Sequence, residues 1–436
     1  MITQLRNLLS IASGRNARST MFYLGGNVLA AVFPLLLLPV LTRHLTAAEY
    51  GVYALALVLA QSIFPLASLG LVNAVTRDFV DQRKLDFPRV VSISLFVSTA
   101  SLLIVVVLIE AARMLGIASS LGADEELPDF FLLAVYVMVA SQNVMAFVLS
   151  ILQMNERPIA YGLLRLGSQL FFAGLALLFV VAWQSGTPGV VGGKALADAA
   201  TLVIGLIILA NGRLLVPRWN TSEAWRLLKY GLPLVPHMFS VSLIAVVDRL
   251  LLAEIVGVSA TGVYMAGFQI GMVMWLIVNS TNQAWVPWFY KAMAAGADSA
   301  VPRIRRAILT VGGAYVAIAI CLSALAPYAL LLLSGPEFHG AAPVAALVVI
   351  AFLFQGFYGL FNSFLYYAKR TGILSVASAI AVVVNAVSCY VLIHSFGITG
   401  AALGTILGYF ASFVFVAWFA KPYFVRSQST VDDEAT

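Results

Sequence analysis

Long uninterrupted runs of apolar residues alternate with short polar segments along the whole chain, and this pattern predicts membrane-spanning helices. A helix needs about 20 mainly apolar residues to cross the hydrocarbon core of a bilayer. The strands of a membrane β-barrel are excluded, because their apolar residues alternate with polar ones whereas these runs are continuous. Twelve spans are predicted, at about residues 20–42, 51–73, 90–112, 130–152, 160–183, 189–210, 232–256, 262–287, 307–333, 341–366, 372–393 and 399–420.

The composition agrees with this class of protein. Hydrophobic residues make up 61% of the 436 positions and charged residues only 10%, and the mean hydropathy is +0.97. A soluble protein has about 25% charged residues, so this chain has too little charge to cover a water-facing surface. We therefore expect an all-α polytopic membrane protein. Cys321 and Cys389 both lie in predicted spans and indicate neither a disulfide framework nor a metal site.

The distribution of basic residues predicts the orientation of the chain. Of the 25 Lys and Arg residues, 20 fall in one set of alternate loops, and only Arg43 and Arg113 fall in the other. Cytoplasmic loops of membrane proteins carry the excess of positive charge. Both termini are therefore expected in the cytoplasm, with residues 1–19 as an amphipathic lead-in and residues 421–436 as a tail. On this interpretation the pI of 9.3 reflects topology and not nucleic-acid binding.

Two glycine-containing motifs recur with the same offset of 211 residues. Gly-Val-Tyr triplets begin at Gly51 and Gly262, at the start of the second and eighth predicted spans, and glycine-rich segments begin at Gly186 and Gly397, before the sixth and twelfth. Two matches at one offset, each at the same place in the topology, indicate parallel six-helix repeats related by an axis along the membrane normal. The alternative is that short outer turns favour these residues by themselves.

The repeat predicts two six-helix bundles around a central cavity, which is the plan of a transporter. The N-terminal bundle covers residues 20–210, the C-terminal bundle covers residues 231–420, and residues 211–230 form a basic cytoplasmic linker between them. The opening helix of each bundle carries two prolines, which remove a helix hydrogen bond and bend the helix. These prolines indicate either helices that bend during transport or the prolines that are common in membrane helices.

Five segments carry a family resemblance, and they occur in a fixed order along the chain. They are Leu41–Tyr53, Tyr230–Pro236, Val247–Leu252, Thr261–Tyr264 and Gly397–Ala402. Together they resemble the polysaccharide-biosynthesis branch of the multidrug/oligosaccharidyl-lipid/polysaccharide exporter superfamily, the O-antigen (Wzx-type) flippases, over essentially the whole chain.

The resemblance implies a function. It implies that the protein moves an undecaprenyl-pyrophosphate-linked oligosaccharide, an O-antigen or exopolysaccharide repeat unit, from the inner to the outer leaflet of a bacterial inner membrane. The family alternates between inward-open and outward-open states around a cavity that is often cationic, with an ion gradient as the proposed energy source. This chain departs from that pattern because its intramembrane charge is mixed.

Asp248 and Arg249 place two adjacent charges inside the seventh predicted span. Each costs about 2.5–3.5 kcal/mol at a helix centre, so each needs a partner or a wet cavity. Neighbours on a helix point about 100° apart, so we expect each to find its partner on another helix. Asp248, Arg249 and Asp198 are candidates for coupling to a proton or sodium ion, or for gating. The alternative is that Asp248 and Arg249 lock helices together.

Six further polar residues in predicted spans are candidates for contact with the substrate. Arg165 and Lys194 are cations, and a guanidinium forms bidentate pairs with phosphate. Arg165 alternatively reaches the near interface, and Lys194 alternatively pairs with Asp198 four residues on. The remaining candidates carry amide or aromatic groups suited to sugars, although aromatic helix faces also contact lipid: they are Gln142, Gln355, Tyr358 and Asn362.

Three classes of function follow from these observations. The first is a lipid-linked oligosaccharide flippase, and the second is a cation-coupled small-molecule or drug antiporter of the same superfamily. The third, a membrane enzyme, is rejected because the sequence has no nucleophile–base arrangement and no phosphate-binding glycine loop. The expected partners are a lipid-linked oligosaccharide, membrane lipids and a proton or sodium ion. No nucleic acid, metal or cofactor is expected.

Overall fold

A computed structural model describes most of the chain, and within the described residues it contains helices and no β-strand. The described residues are 15–80, 86–115, 130–244, 246–294, 297–368 and 370–425. Ten helices of this part are long and apolar enough to cross a membrane, which confirms a multi-pass helical membrane protein. Most of the predicted lead-in and most of the predicted tail lie outside the described residues.

Fourteen α-helices follow one another along the described residues. They are α1 (Arg15–His44), α2 (Ala47–Ser68), α3 (Leu71–Val80), α4 (Phe87–Met114), α5 (Phe131–Met154), α6 (Pro158–Ala176), α7 (Gly186–Asn211), α8 (Thr221–Gly231), α9 (Val235–Ile244), α10 (Val247–Ile255), α11 (Val258–Ala294), α12 (Ala297–Leu333), α13 (Ala342–Tyr367) and α14 (Thr371–Val425). A π-helical turn, Leu177–Ala182, continues α6.

The last helix covers the final two predicted spans. Within α14 the backbone leaves helical geometry at Gly397, with a φ of 57° and a ψ of −130°, and two helices meet there. A residue with a side chain rarely adopts a positive φ, so the glycine permits this reversal. The first predicted span is represented by a shorter apolar helical stretch, Val32–His44. The count of twelve spans therefore stays a prediction.

The described chain folds into two compact units. One contains the residues up to Leu45 together with Val52–Ser242, and the other contains Thr46–Gly51 together with the residues from Leu243 onward. The two units are thus interleaved in sequence, because a six-residue segment of the N-terminal half packs with the second unit. The predicted boundaries of two six-helix bundles, and the cavity between them, stay predictions.

The segment predicted as a linker contains a helix that packs with the first unit. Asn220 caps α8 by accepting a hydrogen bond from the backbone N–H of Glu223 at 3.1 Å. The apolar face of α8 then joins a buried cluster with residues of α3, α4 and α5, through Ala224 and Leu227. Capping and burial of one face are the two features that stabilise a short helix.

Buried acidic residues hold α8 in place on the first unit. Arg226 binds Asp78 with both guanidinium nitrogens, at 2.9 and 2.6 Å. Arg89 donates from Nε to Glu223 at 2.7 Å. The side chains of Asp78 and Glu223 are only 6% exposed, and charge-assisted bonds of this kind are stronger than neutral ones. The predicted linker is therefore partly a fixed element of the first unit.

The seventh predicted span is not one helix, which corrects the prediction of a continuous span over 232–256. Pro233, the first proline of this span, lies in a 3₁₀ turn at Leu232–Leu234, near the start of the span, where a bend is predicted. A second interruption was not predicted: α9 ends at Ile244 and α10 begins at Val247. Val246 between them has a φ of −132° and a ψ of −20°, outside helical geometry.

The glycines of the repeated Gly-Val-Tyr triplets meet in the second unit. A β-carbon on Gly51 would overlap the carbonyl oxygen of Val258, and one on Gly262 would overlap the carbonyl oxygen of Ala47. The start of α2 therefore crosses α11 with the two backbones in direct contact. Nearby, Glu337 accepts a hydrogen bond from the backbone N–H of Ala47 at 2.9 Å. The repeated glycine thus has a packing reason, which only a residue without a side chain satisfies.

We expect Gly262→Ala to lower the melting temperature of the purified protein. The added methyl group meets backbone atoms of α2, which cannot rotate away, and overpacking of this kind costs about 1–3 kcal/mol. Gly313→Ala is the matched control, because a β-carbon at Gly313 in α12 meets no atom within 4 Å. A Gly262→Ala protein as stable as the Gly313→Ala protein would contradict the close crossing.

Candidate functional site

Asp248 is buried in the first turn of α10, and its carboxylate gathers donors from three helices. The side chain is 2% exposed. Oδ1 accepts the backbone N–H of Arg249 at 2.9 Å. Oδ2 accepts the hydroxyl of Tyr264 in α11 at 2.5 Å and that of Thr405 in α14 at 3.1 Å. The interruption at Val246 places this carboxylate at the start of α10, where the helix dipole also favours negative charge.

Arg249 lies beside Asp248, which corrects the expectation that adjacent residues would not pair. Its Nη1 is 3.7 Å from Asp248 Oδ1, and its side chain is 5% exposed. The expectation considered only the directions in which the two side chains leave the helix, whereas the long arginine side chain reaches back to its neighbour. The guanidinium also lies over the ring of Phe268 in α11, 3.9 Å from the centroid, in a cation–π contact.

The first unit contains a partly buried ion pair on α7. Lys194 and Asp198, one turn apart on α7, pair through both carboxylate oxygens at 2.6 Å. Their side chains are 18% and 13% exposed. The predicted pairing four residues apart is thus confirmed. The Lys194 ammonium lies 5.6 Å from the ring centroid of Phe172, and Tyr53 stacks on the same ring.

The two ion-pair clusters use equivalent positions of the sequence repeat. Tyr53, Lys194 and Asp198 each precede, by the repeat offset of 211, the residues Tyr264, Thr405 and Tyr409. Tyr264 and Thr405 are two of the donors to Asp248. The second and the sixth predicted span of each half therefore contribute residues to both clusters. Tyr264 and Thr405 are not among the residues predicted from the sequence, although the repeat offset of 211 leads directly from Tyr53 and Lys194 to them.

Asn385 is a buried amide on α14, the helix that also carries Thr405, one of the donors to Asp248. Asn385 in α14 is 0% exposed, and neither its Nδ2 nor its Oδ1 has a hydrogen-bond partner in the described part of the chain. It lies one turn before Cys389, whose Sγ is 3.5 Å from the Ala401 carbonyl oxygen. A buried amide normally has hydrogen-bond partners. Asn385 is therefore a further candidate polar position inside the second unit, and it is not among those predicted from the sequence.

The structure places the remaining candidates separately in the two units. Arg165 in α6 is partly buried, and among the described residues its Nε has no hydrogen-bond partner. Gln142 in α5 is also partly buried. In the second unit, Gln355 in α13 has a buried Oε1 that is likewise unbonded within the described residues.

Tyr358 and Asn362 are brought together on α13. The hydroxyl of Tyr358 interacts with the side chains of Asn362 and Ser378, and Tyr358 packs beside the buried residues Leu365 and Leu374. These two candidates therefore have partners inside the second unit. Within the described residues, no group of three His, Cys, Asp or Glu side chains is arranged to hold a metal ion.

Comparisons with known proteins agree with this architecture. The chain resembles a multidrug resistance MATE family transporter of the MOP superfamily in an inward-facing conformation, with a TM-score of 0.62, 15% identity and 96% of each chain covered. It also resembles the lipid II flippase MurJ in an inward closed conformation, with a TM-score of 0.62, 12% identity and coverage of 93% of this chain and 87% of that one.

At these identities the likeness establishes the fold and not the activity. No curated protein sequence matches the chain. The sequence profile of the family described as polysaccharide biosynthesis protein matches residues 17–293, which is more than half of the chain. The family resemblance of the sequence is thus confirmed, and the chain belongs to the polysaccharide biosynthesis protein family, with the fold of MOP superfamily transporters.

Proposed function

We propose that the protein is a flippase that moves an undecaprenyl-pyrophosphate-linked oligosaccharide, an O-antigen or exopolysaccharide repeat unit, across a bacterial inner membrane by alternating access. The observation that carries this proposal is the family match over residues 17–293. The fold shared with a lipid II flippase supports it, because that protein's substrate is also lipid-linked. Both termini lie in the cytoplasm in this proposal.

Arg165 is proposed to receive the pyrophosphate group. It is partly buried, and its Nε makes no hydrogen bond within the described residues. A guanidinium in this state retains a donor for an anion, and bidentate binding of phosphate is the geometry that arginine favours. Gln142, Gln355, Tyr358 and Asn362 are proposed to contact the glycan, with Gln355 offering a buried acceptor that is unbonded in the described part of the chain.

Asp198 is the proposed site of coupling to a proton or sodium ion. Its side chain and that of its partner Lys194 are more exposed than those of the Asp248–Arg249 pair. Asp198 and Lys194 bind each other within one helix, so the hydrogen bonds that a change of charge on Asp198 breaks lie within α7. Asp248, in contrast, joins α10, α11 and α14 through its hydrogen bonds. We therefore assign Asp248 and Arg249 the structural alternative.

The second candidate function is a cation-coupled small-molecule or drug antiporter. The observation that favours it is the fold similarity to MATE multidrug transporters, which covers 96% of the chain. The two functions differ in the cargo that accumulates when the protein is absent. Lipid-linked oligosaccharide accumulates in one case, and an administered drug accumulates in the other.

Deletion of the gene is expected to remove surface polysaccharide and to leave drug sensitivity unchanged. Lipid extracts of the deletion strain, analysed by mass spectrometry, should contain the accumulated lipid-linked repeat unit. Reintroducing the Arg165→Ala protein should restore surface polysaccharide about 10- to 100-fold less efficiently than the natural protein, because a charge-assisted hydrogen bond contributes about 1.5–3 kcal/mol. Arg165→Lys should lie between the two. Increased drug sensitivity with normal surface polysaccharide would instead establish the antiporter.

Asp248→Asn is expected to reduce the yield and the melting temperature of the folded protein. The substitution leaves the buried Arg249 guanidinium without its countercharge, and breaking a buried pair in this way costs about 3–5 kcal/mol. Asp248→Asn combined with Arg249→Met removes both charges and should recover most of the stability. Asp198→Asn, whose pair with Lys194 is more exposed, should lower the melting temperature less than Asp248→Asn and lose the ion dependence of transport.

A different outcome would reverse the assignment of these two carboxylates. An Asp248→Asn protein that melts like the natural protein but no longer responds to an ion gradient would make Asp248 the coupling residue. Transport and melting temperature measured on the same preparations separate the two results.

A further inference from the structure

An apolar groove lies on the flank of the first unit, between α4 and the segment of residues 212–219 that precedes α8. Its volume is about 780 Å³, within the range of about 300–1,000 Å³ that is typical of small-molecule sites. Most of its lining is apolar and comes from α4 and from the segment: Ile93, Leu95, Phe96, Val216, Pro217 and Trp219. No function considered above uses this groove.

Two hydrogen bonds to one serine hold the groove in shape. Ser92 in α4 donates from its hydroxyl to the carbonyl oxygen of Leu214 at 2.7 Å. The same hydroxyl accepts the backbone N–H of Val216 at 2.7 Å. The segment is thus fastened to α4 on both sides of Leu215, so the groove exists before any ligand enters it.

The groove opens on a surface that suits lipid. Phe96, Leu103 and Val107 form an exposed apolar stripe along α4, and each is at least 60% exposed. Trp219 is 55% exposed and meets Phe96 edge to face, with ring centroids 5.3 Å apart. Its indole N–H donates to the hydroxyl of Thr221 at 3.0 Å. An aromatic ring with one apolar end and one bonded polar end is typical of the membrane interface.

The groove carries an exposed guanidinium beside its apolar lining. Arg218 lines it and is 70% exposed, with Nη1 3.6 Å from a carboxylate oxygen of Asp86. An exposed pair of this kind contributes about 0–1 kcal/mol, so an incoming anion can displace it. Arg89 lies on the same helix but is bound to the buried Glu223. Arg213 adds a second positive charge to the segment, which contains no acidic residue between positions 212 and 219.

The geometry points to a binding site for an anionic phospholipid, with one acyl chain along the apolar lining of α4 and of the segment, and the phosphate on Arg218. The lining residues of α4 run from Ser92 to Thr99, about 10 Å at 1.5 Å per residue. This length fits within one leaflet, whose hydrocarbon is about 15 Å thick, half of the core. The phospholipid at this site is a second ligand, in addition to the transported substrate proposed above.

The charge of the headgroup decides which lipid occupies this site. An acyl chain that moves from the bilayer into the groove exchanges one apolar environment for another, so it gains little from the hydrophobic effect. The phosphate gains a guanidinium partner that forms bidentate pairs. The site should therefore bind phosphatidylglycerol in preference to phosphatidylcholine.

Quenching of tryptophan fluorescence tests the site on the full-length protein. The protein is reconstituted in phosphatidylcholine vesicles that contain a minor fraction of brominated-chain phosphatidylglycerol or, in parallel, of brominated-chain phosphatidylcholine. Subtracting the Trp219→Phe signal isolates Trp219. Trp225→Phe is the matched control, because Trp225 in α8 is 68% exposed and does not line the groove.

We expect the Trp219 signal to be quenched at roughly tenfold lower amounts of the brominated phosphatidylglycerol, since one charge-assisted bond to phosphate corresponds to at least this factor. Trp225 should respond equally to both lipids. Arg218→Ala should abolish the preference, Arg218→Lys should keep part of it, and Arg303→Ala, which changes an exposed arginine of α12, should leave it intact.

Three results would overturn this site. Equal quenching of Trp219 by both lipids would mean that the groove only contacts bulk lipid. A preference that survives Arg218→Ala would mean that Arg218 does not hold the phosphate. Relief of quenching by added undecaprenyl phosphate, with no relief by unbrominated phosphatidylglycerol, would identify the occupant as a polyprenyl lipid.

Discussion

A carboxylate that is removed from water must find its hydrogen-bond donors and its countercharge inside the protein, and this requirement organises the second unit. The cost of burying such a charge without partners is several kcal/mol. Asp248 meets the requirement with donors from α10, α11 and α14, and with Arg249 at 3.7 Å. Each helix must approach within hydrogen-bonding distance of the same two oxygens. Gly404, next to Thr405, lets the two arms of α14 pack closely, because a β-carbon there would overlap Cys389 in the preceding arm.

The first unit meets the same requirement within a single helix. Lys194 supplies the countercharge to Asp198 from one turn away, so no second helix has to approach. At the equivalent positions the second unit carries Thr405 and Tyr409. The two halves therefore place their charged pairs on different helices of the repeat, and the second unit has uncharged residues where the first has its ion pair. In the second unit the buried carboxylate joins three helices, and in the first the carboxylate and its countercharge lie on one helix.

The sequence predicted the helical membrane class because bilayer thickness imposes the length of each apolar run. It did not predict the interruption at Val246, because no glycine or proline marks that position. The pairing of Asp248 with Arg249 was missed because side-chain directions say nothing about how far a flexible side chain reaches. The helix Thr221–Gly231 is predictable from the sequence, since Asn220 is a favoured capping residue, but its basic residues also fit the pattern of a cytoplasmic loop. Hydrogen-bond partners of Asp248 such as Tyr264 follow from the repeat once the second predicted span is aligned with the eighth.

The crossing of Gly51 and Gly262 also constrains the order of assembly. The segment Thr46–Gly51 belongs to the second unit, and the capping contact of Ala47 with Glu337 joins residues 290 positions apart. At a synthesis rate of about 5–20 residues per second, the ribosome needs about 15–60 s to produce the partner. Until then the backbone N–H of Ala47 lacks the Glu337 carboxylate, whereas Thr46 and Glu49 satisfy each other's N–H groups within the turn. Biogenesis of the protein thus includes an interval in which the start of α2 has been synthesised without this partner, and the contact forms only after the ninth predicted span and Glu337, which follows it, have emerged.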